Sequence, residues 1–292
     1  MRGPVAEARI VHSEFGIQQT SMTATLTFIT RTYGPRVSNL AMTYESIASQ
    51  TYDATEWLVI EDGSNVAGSV LEALRLKPNI TVRHIPIPKA GRSAAANAGL
   101  DHASGEYICF LDDDDELYPS HAATLVGLLD EHPHAAGAYA ASIQAELLGR
   151  DARGMPIVAE EKVYLVPSVS TIPLVWQNLF PIQAVVFRRR IVQRTRFDVN
   201  LDALEDWLFW LYLFLERRLV WTPEITSRFF VPPHHSSDSR VQAHNEAYDY
   251  FDVQRSAFLK TRGLGSMRSL HLAYSQKLLR SLEEAYLHSN KC

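Results

Sequence analysis

Four consecutive aspartates, Asp112 to Asp115, follow directly on the apolar run Tyr107-Ile-Cys-Phe-Leu111 and are closed by Glu116 and Pro119. Crowded carboxylates repel and raise one another's pKa. A divalent cation relieves that repulsion, and hard oxygen ligands suit magnesium, manganese or calcium. A solvated acidic turn leading into the next helix accounts for the same run without an ion, because acids are favourable near a helix N-terminus. Two further acidic pairs stand far off in sequence, Glu61-Asp62 and Glu205-Asp206, and a histidine pair, His234-His235, sits in a Pro- and Ser-rich stretch. A carboxylate can accept a proton or an N–H group and an imidazole can ligate a metal, so these clusters carry the candidate chemistry.

The segments that must position them alternate strand and helix. Ala24 to Ile29 alternates with period two and is rich in β-branched and aromatic residues, which predicts a strand. Val37, Leu40, Ala41, Tyr44, Ile47 and Ala48 recur at helical spacing. The strand Glu56 to Ile60 follows, ending at Glu61-Asp62-Gly63-Ser64; then a helix over 66–76, an extended segment over 80–87, a helix over 94–102, the Tyr107 strand and a helix over 119–129. Repeated alternation of this kind predicts a mainly parallel sheet with right-handed crossovers. Ligands of such sheets bind outside the carboxyl ends of the strands, where both the Glu61-Asp62 and the Asp112 clusters fall. After Ala140 the pattern loosens. Gly149 to Pro156 reads as a turn or hairpin loop, Ile182 to Phe187 as a strand, and Glu205 to Leu215 as an apolar, aromatic helix. From His244 onward two helical stretches are separated by Gly263-Leu-Gly265, and the last, about Met267 to His288, carries an apolar stripe for the domain, a dimer partner or a membrane surface.

The 292 residues are 46% hydrophobic and 21% charged with a formal net charge of -5, the composition of an ordinary globular protein. That balance lacks the basic face a nucleic-acid partner needs. Two cysteines make no disulfide framework: Cys109 lies within an apolar strand and Cys292 ends the chain. The N-terminal residues show no apolar leader, and no stretch approaches the roughly 18 uncharged apolar residues of a spanning helix. A cytoplasmic protein, at most peripheral to a membrane, is the expectation.

Taken in order, Thr30-Arg-Thr-Tyr-Gly-Pro-Arg36, Gln50-Thr-Tyr52, Glu61-Asp-Gly-Ser64, Gly91-Arg-Ser-Ala-Ala-Ala-Asn-Ala-Gly99, Gly105 to Asp112 with the aspartate run, and Glu205-Asp-Trp207 resemble the GT-A glycosyltransferases of family 2. These are inverting enzymes that use nucleotide-diphosphate sugars. The resemblance spans about Thr23 to Ser239, and implies a Rossmann-like α/β fold with flanking helices and a helical C-terminal extension. It divides the chain into an N-terminal extension (1–22), a nucleotide- and metal-binding half (23–142), an acceptor-binding half of the same domain (143–239) and the extension (240–292).

The resemblance also implies roles. Asp62 would hydrogen-bond the nucleotide base, a contact that suits the imide of uracil or thymine and so favours UDP, then TDP. Thr30, Thr32 and Tyr33 would line the base pocket, and Arg92 and Asn97 would reach nucleotide or phosphate atoms. Asp112-Asp113-Asp114 matches a D-x-D signature: Asp112 toward the ribose or sugar, Asp113 in the variable middle position, Asp114 on a manganese or magnesium ion. His234 would complete the metal shell or touch diphosphate. Asp206 would be the catalytic base toward an acceptor hydroxyl, with Glu205 and Trp207 on the acceptor side. Two departures stand out: Ala96 precedes Asn97 where the family usually has arginine, and Gly34 follows Tyr33 where asparagine is common. Two other readings remain at this stage. One is a phosphoryl-transfer enzyme with an aspartate nucleophile, and the other a catalytically silent nucleotide-sugar binder.

Overall fold

The computed structural model describes residues 10–12, 26–53, 55–151, 155–165, 167, 172–192, 194–232 and 239–263. The first half holds β1 (Ile10–His12), β2 (Leu26–Thr32), α1 (Leu40–Ala48), β3 (Thr55–Asp62), α2 (Ala67–Ala73), β4 (Ile80–Ile87), α3 (Arg92–His102) and β5 (Tyr107–Phe110). The short β6 (Glu116–Leu117) and α4 (His121–Glu131) come next. Then follow β7 (Gly137–Arg150), β8 (Pro156–Tyr164), β9 (Val185–Arg188), α5 (Glu205–Phe214), β10 (Leu219–Val231) and α6 (Ser239–Thr261).

All ten strands belong to one sheet, ordered β1-β4-β3-β2-β5-β9-β7-β10-β6, with β8 paired to β7. The five strands from β1 to β5 in that order are parallel, as the strand–helix alternation predicts. At β9 the direction reverses: β9 is antiparallel to both β5 and β7, while β10 runs parallel to β7. The sheet is therefore mixed. Its second half is where the sequence patterns loosen.

Period-two alternation places successive side chains on opposite faces, and both faces are covered. Ile29, Leu58, Ile60, Ile108 and Phe110 point into a core closed by α3, α5 and α6. Leu26, Phe28, Trp57, Val59, Tyr107 and Cys109 point into the other, closed by α1, α2 and α4. Cys109 is fully buried, and burial pushes its thiol pKa up, as befits a core residue. On the α5 side Phe197 stacks on Phe209 at 4.0 Å, with Phe110 edge-on to Phe197 at 5.3 Å.

β7 and β8 pair antiparallel, and the Asp151 N–H donates to the Met155 carbonyl at 2.9 Å where a turn was expected; residues 152–154 lie outside the described residues. Three strands of the second half were not expected. β7 opens on small residues, β8 is largely exposed and charged, and β10 carries Pro223 and register shifts after Thr222. The apolar stripe expected at 267–288 lies outside the described residues. Among the described residues no helix is long and apolar enough to cross a membrane.

One close approach fixes the layer between α3 and the sheet. Gly99 faces β2 so tightly that a β-carbon there would overlap the Ile29 Cγ2 methyl. Gly99→Ala should therefore destabilise the protein by about 1–3 kcal/mol through overpacking. Urea unfolding would show this as a lower midpoint; an unchanged midpoint would mean that α3 can shift freely off the sheet.

Candidate active site

The register between β2 and β5 builds the site. Ile29 stands opposite Phe110, and the Leu111 N–H donates to the Ile29 carbonyl at 2.9 Å, so the alignment continues past the end of β5. The next residues of each chain then meet by side chain. Arg31 grips Asp112 in a two-pronged pair, Nε to Oδ1 at 2.8 Å and Nη2 to Oδ2 at 2.6 Å. Thr32 donates its hydroxyl to Asp113 Oδ2 at 2.7 Å. Burial alone would raise the Asp112 pKa, but the Arg31 and Arg92 guanidiniums outweigh it and hold the group at about 2.

The third acidic cluster arrives from the other half of the chain. Glu205 and Asp206 open α5, and the residue before them, Leu204, is the one non-glycine described residue at positive φ (63°). A β-carbon in that left-handed conformation is strained, and such strain persists only where the surroundings enforce it. Glu205 is buried and accepts from Arg31 Nη1 at 3.1 Å and from Arg92 Nε at 2.8 Å. Arg92 also reaches Asp112 Oδ2 at 3.2 Å. Two arginines thus bridge Asp112 and Glu205 across the cleft. Asp206 accepts from Asn178 Nδ2 at 2.9 Å and from the backbone N–H of Trp207 at 2.7 Å. Burial and the neighbouring Glu205 charge push its carboxyl up to about 6, in the range of a general base.

The rest of the aspartate run faces a third arginine. One nitrogen of Arg36, Nη2, meets both Asp113 Oδ1 and Asp114 Oδ2, the latter at 2.7 Å. Asp113 is buried, and that burial, opposed by Arg36 and reinforced by Asp114, pushes it up to about 7. Asp115 is likewise raised by burial and by the charges of Asp114 and Asp112. Among the described residues no group of three or more His, Cys, Asp or Glu side chains gathers to hold a metal ion. His234 lies outside the described residues.

Several expected contacts are used differently. Asp62 closes the loop before α3, accepting from the N–H groups of Ala90 at 2.6 Å and Gly91 at 3.1 Å, with Lys89 Nζ 3.7 Å away. Its partner Glu61 turns inward, capping α2 through Val66 N at 2.8 Å and Ala67 N at 3.0 Å and meeting His84 Nε2 at 2.7 Å. Thr30 is fully buried and accepts from Trp57 Nε1 at 2.9 Å, so it braces the sheet and does not line a base pocket. Asn97 is engaged at both ends of its amide by the backbone of Phe197, at 2.9 and 2.8 Å, and works with Ser93, which donates to the Leu201 carbonyl at 2.8 Å, to fasten that stretch to α3. Trp207 is buried against Phe251 at 4.4 Å and donates to the Leu174 carbonyl at 2.6 Å; it is core, not a platform for an acceptor. Tyr33 does stand at the mouth, 41% exposed, with Lys89 Nζ 5.2 Å from its ring centre.

Sequence reasoning overlooked Arg31, Arg36, Lys89, Asn178 and Tyr164. Tyr164 donates to the Asn178 carbonyl at 3.0 Å, and its pKa is raised by burial and then by the Asp206 charge. The signal for Arg31 was present: a cation inside an otherwise uncharged strand must find a buried carboxylate partner. The aspartate-nucleophile reading also weakens here. Both oxygens of Asp112 are occupied by Arg31, which is the opposite of what an attacking carboxylate needs.

Removing Arg31 would leave two buried carboxylates short of a partner. Arg31→Met should cost about 3–5 kcal/mol in chemical denaturation, nearer the lower figure because Arg92 still serves both acids. Arg31→Met combined with Glu205→Gln should recover part of that loss, and simple additivity of the two changes would show that the pair is not coupled.

With this geometry in view, comparisons place the chain. Residues 27–191, more than half of it, match the model for glycosyl transferase family 2. Glycosyltransferase GlyA of Streptococcus pneumoniae serotype 4 is 24% identical over 254 residues, covering 80% of this chain and 34% of GlyA. The succinoglycan biosynthesis protein ExoO of Rhizobium meliloti is 27% identical over 193 residues, 63% of this chain and 53% of ExoO. The chain thus spans about half or less of the length of these relatives. The crystal structure of S. aureus TarS 1-349 in complex with UDP aligns with a TM-score of 0.55 at 19% identity, covering 79% of this chain and 65% of that one. The mannosyltransferase PcManGT from Pyrobaculum calidifontis, in complex with GDP-Man and Mn2+, aligns with a TM-score of 0.51 at 18% identity, covering 87% and 80%. The fold is that of the GT-A glycosyltransferases. By the family match over residues 27–191, and in agreement with its ordered motifs, the chain belongs to glycosyl transferase family 2.

Proposed function

We propose that this protein transfers a glycosyl group from a nucleoside-diphosphate sugar to an acceptor hydroxyl, with inversion, in a single in-line displacement. The observation that carries this reading is the meeting of acids remote in sequence, Asp112 after β5 and Glu205 beside Asp206 at the start of α5, joined through Arg31 and Arg92 at the carboxyl end of the parallel strands. In the step, an acceptor oxygen forms a bond to the anomeric carbon while the bond from that carbon to the diphosphate oxygen breaks. The leaving diphosphate keeps the electron pair, and the acceptor proton passes to Asp206.

Each residue has a task in that scheme. Arg31 and Arg92 hold Asp112 and Glu205 in place and offset their charge. Asn178 and the Trp207 N–H orient Asp206 through one bond to each oxygen, and the remaining lone pairs serve the acceptor proton. Asp62 shapes the base-side loop and retains lone pairs for an imide N–H, which favours UDP, with TDP as the second choice. The oxygen donors of Asp113 and Asp114 suit a hard divalent cation, and their convergence on one guanidinium nitrogen shows that the spot accepts positive charge. A manganese or magnesium ion bound there, on Asp114 above all, would neutralise the diphosphate as it leaves. The UDP and UDP-GlcNAc of the TarS structures and the GDP-Man and Mn2+ of PcManGT support the donor class without choosing the base.

Thermal-shift measurements should find that UDP with Mn2+ raises the melting temperature more than either alone; no shift with any nucleoside diphosphate would defeat the donor assignment. Asp206→Asn should lower turnover of the donor by about a hundred- to ten-thousand-fold with little loss of nucleotide affinity. The base must be ionised, so the wild-type rate should fall as the pH drops below about 6, the value set by burial and the Glu205 charge. Glu205→Gln removes one negative neighbour and should move that limb to lower pH. A limb that stayed put would locate the titrating base elsewhere.

A further inference from the structure

The three arginines of the cleft are not held alike. Arg31 rises from the sheet interior, 5% exposed, and meets its partner with two parallel bonds. Arg36 comes from a short 3-10 helix, Gly34–Asn39, that follows β2 at the surface. Its side chain is 33% exposed and presents a single nitrogen to two carboxylates. Asp113 does not depend on it for position. Asp113 is already fixed through Oδ2 by the Thr32 hydroxyl, so Arg36 takes only the oxygen that remains, Oδ1. Asp114 Oδ2, its other partner, belongs to a side chain 28% exposed. The Arg36–Asp114 contact, partly exposed on both sides, is weak and readily exchanged, whereas the buried Arg31 fork is not, and buried Asp113 keeps its Thr32 bond when Arg36 leaves.

The charge arithmetic makes exchange necessary. Arg36 is the cation in contact with Asp113 and Asp114, while Arg31 and Arg92 serve Asp112 and Glu205. A divalent cation binding Asp113 Oδ1 and Asp114 Oδ2 would meet the guanidinium at those same oxygen atoms. We propose that Arg36 is a displaceable counter-charge: it occupies Asp113 and Asp114 when no metal is bound, competes with the metal for those oxygens, and on release turns to the diphosphate of the donor. This rests on the reading of Asp113 and Asp114 as metal-facing. It adds a residue of this chain that both restrains metal binding without donor and contributes to donor binding once the metal is in place. The guanidinium suits both tasks, because its planar fork pairs with carboxylate and phosphate alike.

The test is direct titration of the full chain with Mn2+ alone, read by the paramagnetic signal of the free ion, on wild type, Arg36→Gln and Arg36→Lys. Melting temperatures from circular dichroism confirm that all three are folded. Arg36→Gln should bind Mn2+ roughly fivefold more tightly than wild type, the size of a lost competing pair that is partly exposed. Arg36→Lys retains a competing charge and should stay within about twofold of wild type. In a second arm, at saturating Mn2+, UDP should bind Arg36→Gln more weakly than wild type. If wild type binds Mn2+ and Arg36→Gln binds it no more tightly, the competition is overturned while the metal reading stands. If UDP affinity at saturating Mn2+ is unchanged in Arg36→Gln, the transfer of Arg36 to diphosphate is overturned. If none of the three proteins binds Mn2+, the metal reading and this inference fall together.

Discussion

A single buried guanidinium holds the two halves of this cleft in register. Arg31 leaves the sheet at the end of β2, grips Asp112 with two bonds and reaches on to Glu205, 174 residues away in sequence. Burying three charges is costly unless each finds its partner with good geometry, so the arrangement tolerates little displacement. That intolerance is useful. The end of β5, which runs into Asp112, and the start of α5, which carries Glu205 and Asp206, cannot drift apart without stranding a charge.

The same cleft contains softer features around this hard centre. Leu204 holds a left-handed backbone immediately before Glu205, a local cost of about 1–3 kcal/mol that the packing of α5 must offset. The result is that Glu205 turns to the arginines while Asp206, next in line, faces Asn178. Adjacent carboxylates thereby acquire different characters: one neutralised by cations, the other raised toward the titration range of a base. The surface segment bearing Arg36 is a second soft element, and one of its partners, Asp113, is held independently by Thr32.

Much of the first half of the chain was legible in the sequence because its elements are periodic. The alternation of Leu26–Thr32 and Thr55–Asp62 and the helical spacing between them specify parallel strands with covered faces, and those strands place the acids at one edge. The second half resisted the same treatment. β10 contains a proline and shifts register beyond it, while β8 is an exposed, charged strand whose pairing depends on β7. At the site, residue type revealed the acids but not their partners. Which cation meets which carboxylate depends on a register between β2 and β5 and on the arrival of α5, neither of which is local. Thr30, Asn97 and Trp207 show the converse: groups chemically able to touch a ligand whose hydrogen bonds are taken up in bracing the framework.

The fastening of α3 to the stretch from Phe197 to Leu201 has a mechanical meaning. Ser93 and Asn97 clasp that stretch by its backbone, and Arg92, at the head of the same helix, reaches Asp112 and Glu205. Helix and clasped segment are thereby tied together, with Arg92 at one end and the lead-in to Glu205 and Asp206 at the other. A shift of Arg92 is therefore passed to the backbone that presents those two acids.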